Sequence, residues 1–232
     1  MLLECKDFYE TETSFLSKEL NYRDLELNKA KLVIKAHEKE ISTLYNNLII
    51  AKIHRDNNCS YPFSKVDFLS HKLQEIIYPH CVPKIYFGIF DNQENPYFVL
   101  ERVPLDKLHK AYNIKRQKYH QANEKTYYFE EDFFALSPND NIDELAKEHN
   151  IKVTNMQHEY ADFVNKYGIA FDHSHANITW NEDIPVSLEV HKCRRDYLFN
   201  YDNCLRYIEG LPNDKEHKKD ALAIIYRIAE LL

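Results

Sequence analysis

Six consecutive residues, Asp172-His173-Ser174-His175-Ala176-Asn177, set a carboxylate, two imidazoles, a hydroxyl and a primary amide side by side, just after Gly168 and the apolar pair Ile169-Ala170. Three uses suit such a set. A carboxylate and an amide oxygen five residues apart are hard oxygen ligands of the kind Mg2+ selects, and a carboxylate in such a loop can also take the proton of a hydroxyl. Two imidazoles in an H-x-H pair suit zinc, which needs further ligands, and His191 is the nearby candidate. A polar turn closing a helix draws on the same residue types and does no chemistry. The D-x-x-x-x-N spacing does not choose among these by itself. Its meaning rests on the elements around it.

Those elements are legible as patterns. KLVIKAHE (31–38), ISTLY (41–45) and LIIAKIH (48–54) are short β-rich runs. The last two are separated by Asn46-Asn47, a pair that tolerates the positive φ of a tight hairpin. They predict a three-strand meander. PFSKVDFLSHKLQEII (62–77) spaces Val66, Leu69, Leu73, Ile76 and Ile77 as one helix face, with Pro62 and Ser64 as start signals and Pro79 beyond the end. KIYFGIFD (84–91) and PYFVLERV (96–103) flank the polar turn NQEN and predict a second hairpin. After this β-β-β-α-β-β order, residues 105–150 read as a helix plus a variable insertion. NMQHEYADFVNKYG (155–168) reads as a helix stopped by Gly168, and DKEHKKDALAIIYRIAELL (214–232) as an amphipathic terminal helix. The first thirty residues are charged and weakly periodic and read as a helix or arm.

Composition removes several classes of function. The 232 residues carry 30 Lys+Arg against 37 Asp+Glu, a net charge of −7, so the broad basic field that nonspecific nucleic-acid binding needs is missing. Cys5, Cys59, Cys81, Cys193 and Cys204 are odd in number and contain no C-x-x-C pair, which argues against a disulfide framework and for a reducing, intracellular setting. No basic region followed by an apolar core opens the sequence, and no apolar run approaches a membrane span, so neither a signal peptide nor a transmembrane helix is expected. With three glycines (Gly88, Gly168, Gly210), neither G-x-G-x-x-G nor G-x-x-x-x-G-K occurs. The stretch KLHKAYNIKRQKYH (107–120) is locally basic and suits a solvated helix face, or docking of a phosphate-rich or acidic partner.

A lobe of five strands with one helix between the third and fourth, then a helix, then D-x-x-x-x-N resembles the protein-kinase-like superfamily. The nearer likeness is to its aminoglycoside/choline-phosphotransferase and atypical bacterial branches, and it spans about residues 30–200. The resemblance implies an α+β, two-lobed fold: an N-terminal helical arm (1–30), a five-stranded antiparallel N-lobe with one helix (31–104), and a reduced, mainly helical C-lobe (105–232). That C-lobe would hold a catalytic-type loop at 171–177 and an insertion at about 121–150. It implies an ATP- and Mg2+-dependent phosphotransferase acting on an unidentified hydroxyl substrate, small molecule or protein, or else a pseudokinase kept as a binding or scaffolding module. Residue by residue, it makes Asp172 the acceptor of the substrate hydroxyl proton and Asn177 a metal ligand. Glu189, in IPVSLEVHK twelve residues beyond Asn177, becomes the second metal ligand. Lys52, in the A-K context of the third strand, becomes the phosphate-binding lysine, in preference to Lys35 on the first. Its acidic partner is expected on the helix, at Asp67 or alternatively Glu75. The sequence departs from the family's pattern in four places. Glu189 replaces an aspartate and no D-F-G follows it. Ala170 stands where a histidine is usual. The loop at AHEKE lacks glycine, and Glu38 and Glu40 would repel phosphate if they faced it.

Overall fold

Runs of β-branched and aromatic residues crowd the chain between Leu32 and Val103, and in the computed structural model they pair into one antiparallel sheet. The structure describes residues 2–36, 39–44, 47–53, 64–77, 82–91, 96–103, 178–181, 184–187, 201–210 and 215–232. The strands are β1 (Phe8–Glu10), β2 (Ser14–Ser17), β3 (Lys31–Ala36), β4 (Lys39–Leu44), β5 (Leu48–Ile53), β6 (Ile85–Ile89) and β7 (Tyr97–Glu101), in the spatial order β1-β2-β6-β7-β5-β4-β3. Helix α1 (Lys65–Ile77) follows β5, and a separate hairpin joins β8 (Ile178–Asn181) to β9 (Ile184–Ser187). Helices α2 (Tyr201–Gly210) and α3 (Lys215–Leu231) end the chain.

The meander, the helix after it and the second hairpin occur in the expected order. The strand number does not: the sheet has seven strands where five were expected. The extra two come from the first thirty residues, where two strands and two short 3-10 turns (Tyr22–Asp24 and Leu27–Lys29) replace the expected helical arm. Alternation accounts for β1, and pairing with β6 for β2. Phe8 and Glu10 point inward with Tyr9 outward, and β2 buries Ser14 and Phe15 while pairing with β6.

The pleat sorts β5 between two cores. Ile49 and Ala51 join Phe98, Leu100 and Ile85 beneath Phe68, Leu69 and Leu73 of α1, with Ile224, Ile225 and Ile228 of α3 completing the layer. Leu48 and Ile50 join Phe87, Ile89 and Val99 on the other face, covered by Leu20, Tyr22, Leu25 and Leu27 from the β2–β3 connection. A register shift between Ile85 and Phe87 lets these two residues serve opposite cores. Residues on both sides of the expected 104/105 domain boundary therefore share one hydrophobic core.

Aromatic rings set how closely α1 can approach. Phe68 stacks on Phe15 with centroids 4.6 Å apart and meets Phe8 and Phe98 edge-on. A Cβ on Gly88 would lie 2.7 Å from Phe68 Cδ2, so glycine is what lets this ring rest on β6.

One buried carboxylate fastens the ends of the chain together. Glu10 on β1 accepts from Lys65 Nζ of α1 at 2.9 Å, from Arg227 Nε and Nη2 of α3 at 3.0 and 2.9 Å, and from the Leu3 amide at 3.1 Å. The Lys6 amide donates to Asp220 at 2.8 Å, and His217 Nε2 donates to the Ile76 carbonyl at 2.7 Å, closing α3 onto the end of α1. Cys5 is a free, buried thiol pushed up to about 12, by burial first and by Asp220 next. Among the described residues, no helix is long and apolar enough to cross a membrane.

Two substitutions probe this packing. Gly88→Ala is expected to destabilise by about 1–3 kcal/mol, the usual cost of overpacking, because Phe68 has stacked neighbours and little room to retreat. Glu10→Gln is expected to cost about 2–3 kcal/mol in urea unfolding. That is less than the roughly 3–5 kcal/mol for breaking a fully buried pair, because Lys65 and Arg227 keep 22% and 18% side-chain exposure. Burial pushes the Glu10 carboxyl up, but the hydrogen bonds from Arg227, Lys65 and Leu3 outweigh it and hold it below its ordinary value. Its stabilisation is therefore present above the unfolded value of 4.5 and is lost as pH falls through the lower folded value. Glu10→Gln should flatten that acid limb of the stability curve.

Candidate functional site

Lys52 sits one residue from the end of β5, and alternation places it on the face of Leu48 and Ile50, opposite α1. Across the ladder toward β4 its register partner is Glu40, and toward β7 it is Tyr97. Both contact it. Lys52 Nζ lies 3.7 Å from Glu40 Oε1 and 5.9 Å from the Tyr97 ring centroid. The Tyr97 hydroxyl is in turn hydrogen-bonded to that of Tyr22 on the β2–β3 connection. Burial first, and this bond next, raise the Tyr97 phenol well above its ordinary value, so it stays neutral. One strand further, Lys35 on β3 stands at the register position opposite Glu40. Lys35, Glu40, Lys52 and Tyr97 thus form one cross-strand row.

The carboxylates of α1 are engaged elsewhere. Ser64 precedes the helix as its N-cap: Asp67 Oδ2 accepts from the Ser64 amide and hydroxyl, each at 2.7 Å, and the Asp67 amide donates back to Ser64 Oγ at 3.2 Å. This reciprocal arrangement is a capping box. Glu75 accepts from the Ile85 amide at 2.6 Å and from Lys72 Nζ at 2.9 Å, tying α1 to the start of β6. The expected pairing of Lys52 with Asp67, or with Glu75, is corrected on both counts. The helix lies on the other face of the sheet from the lysine, and Glu40 holds the ammonium.

His71 is a further buried polar group on α1. Its Nε2 donates to the Pro83 carbonyl at 2.6 Å, and Glu75 Oε1 lies 3.9 Å away. Burial, the largest influence, pushes the imidazole below its ordinary value, against the opposing effects of Glu75 and Pro83. It is a neutral structural donor joining the helix to the β6 approach.

Asp172, Asn177 and Glu189 lie outside the described residues, as do His173, His175, His191, the basic stretch 107–120, the insertion at about 121–150 and the expected helix 155–168. The β8–β9 hairpin between Asn177 and Glu189 is described: β8 begins at the residue after Asn177, β9 ends two residues before Glu189, and Ile178 pairs with Ser187 at the open end. Among the described residues, no group of three or more His, Cys, Asp or Glu is placed to hold a metal.

No protein-family model and no curated protein matches this chain. Among solved structures, it is similar to the GDP and kanamycin complex of APH(2")-IIia at 12% identity and a TM-score of 0.29, over 90% of this chain and 87% of that one. It is also similar to the GDP complex of a mutant aminoglycoside 2'-phosphotransferase-IIIa at 12% identity and a TM-score of 0.28, over 90% and 86% of the two chains. The signal that could have led to Glu40 lies in the hairpin: once β4 and β5 pair with Leu44 opposite Leu48, Glu40 must stand opposite Lys52.

Asp67→Ala is expected to cost about 1–2 kcal/mol, the range for losing a helix N-cap interaction. Urea denaturation measures it. The change should leave the surroundings of Lys52 as they are, since α1 packs on the opposite face of the sheet.

Proposed function

We propose that this chain is a kinase-like phosphotransferase in which Lys52 steadies the phosphates of ATP, Asp172 accepts the proton of a hydroxyl substrate, and Asn177 and Glu189 ligate Mg2+. The observation that carries this reading is the β8–β9 hairpin. It joins the Asn177 and Glu189 positions by one and two peptide bonds, respectively, to paired positions at the open end of a single ladder. Two ligands of one magnesium ion must reach it at about 2.0–2.1 Å, and a hairpin whose two chain directions emerge together suits that demand. Both side chains offer hard oxygens, which fits Mg2+ and not a soft-ligand metal. Bound MgATP would supply the phosphoryl group. For its part, Asp172 would orient and deprotonate the acceptor, and Lys52, fixed between a carboxylate and an aromatic ring, would offer a cation of set position. The order β3-β4-β5-α1-β6-β7 ahead of the hairpin supports the same reading.

A second reading, that of a pseudokinase serving as a binding module, is favoured by the 3.7 Å approach of Glu40 to Lys52. That carboxylate offsets charge which phosphate would otherwise meet, and no glycine lies between β3 and β4 to lay backbone over phosphates.

Thermal unfolding with and without MgATP separates the two. A ligand at a hundred times its Kd stabilises by about 2.7 kcal/mol. The phosphotransferase reading expects stabilisation by MgATP that Lys52→Met reduces, and phosphoryl transfer that Asp172→Ala abolishes while nucleotide binding survives. Glu189→Gln should weaken the magnesium dependence of binding. Absence of any stabilisation by ATP with Mg2+ or Mn2+ would leave the binding-module reading, and transfer undiminished by Asp172→Ala would remove that residue from the mechanism.

A further inference from the structure

We infer that Glu40 on β4, and no residue of α1, is the positioning partner of Lys52, so that among the described residues the lysine is held from neighbouring strands of the sheet. The bearing of this on phosphate binding rests on the phosphotransferase reading above; the pairing itself does not. Three observations meet here. Glu40 and Lys52 are direct register partners in the β4–β5 ladder, where facing side chains of opposite charge attract. Their charged atoms lie 3.7 Å apart, with side chains 22% and 35% exposed, a setting where the attraction is partly screened but persists. On its other flank the ammonium meets the Tyr97 ring, and the Tyr97 hydroxyl is anchored by Tyr22. Lysine is a flexible four-carbon stem with a point charge at its end, so two neighbours fixed on adjacent strands remove freedom that a loose side chain would keep.

The consequence is a lysine whose position does not depend on the position of α1. Asp67 caps its own helix, Glu75 fastens α1 to β6, and the sheet stands between the helix and Lys52. Rigid displacement of α1 would leave the Lys52–Glu40 pair intact. Glu40 is a positioning residue in this sense: it acts through Lys52 and has no assigned contact with the reacting groups.

The test uses the full chain without nucleotide. Brief acylation by a small neutral reagent such as acetic anhydride, followed by peptide mass spectrometry, reports how reactive Lys52 is at each pH. Glu40→Gln is expected to raise the Lys52 acylation rate about twofold to fivefold at a fixed mildly alkaline pH, the scale set by part-exposed ion pairs. Glu40→Asp, which keeps the charge, should fall between wild type and Glu40→Gln. The difference should shrink in 1 M NaCl, because salt screens an ion pair and leaves packing alone. Asp67→Ala should show the wild-type profile despite its lower stability. A wild-type acylation profile in Glu40→Gln, or an Asp67→Ala profile shifted as far, overturns the inference. If Glu40→Gln shifts acylation while no form of the protein binds MgATP, the pairing stands and the phosphotransferase reading falls. If MgATP binds and Glu40→Gln changes nothing, the reverse holds.

Discussion

A single carboxylate with no exposed surface, Glu10, decides how this chain closes on itself. It is held by a lysine from α1, a guanidinium from α3 and the Leu3 amide, so three segments distant in sequence meet at one charge. A charge so placed is tolerable only while every one of its partners is present. The contact to Arg227 spans 217 residues, and it is flanked by an apolar layer in which Ile224 and Ile228 of α3 lie against the same core as Phe8 and Phe15. Terminal strand and terminal helix are thereby mutually dependent: neither buries its inner face without the other.

The second governing constraint is the pleat of β5. Because successive side chains alternate, the same six-residue strand gives Ile49 and Ala51 to the layer beneath α1 and Leu48, Ile50 and Lys52 to the opposite face. A partner for Lys52 on α1 is excluded by that alternation. It is excluded by no property of Asp67 or Glu75 themselves, both of which occupy sound helix positions. What the alternation supplies in exchange is a register row of Lys35, Glu40, Lys52 and Tyr97 across four strands, in which Lys52 meets the Glu40 carboxylate on one side and the Tyr97 ring on the other.

Much of the central sheet was legible because its signals are local. Ser64 and Asp67 announce the start of α1 by residue type and spacing, and they form the capping box that such spacing allows. Asn47 adopts φ of 59°, the conformation for which the Asn46-Asn47 pair was singled out. The same hairpin shows where local reading stops. Had Asn46-Asn47 been the whole turn, Tyr45 would face Leu48 and Ile41 would stand opposite Lys52. The ladder closes instead at Leu44 and Leu48, and that shift of one residue brings Glu40 to the lysine. Strands β1 and β2 escaped notice because three and four residues contain too little alternation to separate from background. The docking of α3 on α1 is a property of two apolar faces far apart in sequence, and neither face specifies its mate.

The register of β5 with β7 sets which end of the sheet carries the lysine. Beyond β7 the described residues run to Val103, and after the β8–β9 hairpin they resume at Tyr201, where α2 leads into the α3 that packs on α1. On β7, Glu101 faces Leu48, whereas Tyr97 faces Lys52, so the exit lies at the far end of β5 from the lysine. Four residues of strand separate the two ends, roughly 13 Å at about 3.3 Å per residue. On the face of β5 that carries Lys52, Leu20, Tyr22, Leu25 and Leu27 cover the apolar part of the strands. Lys52 stands beyond those residues near the end of its strand, 35% exposed, with Tyr97 on one side and Glu40 on the other.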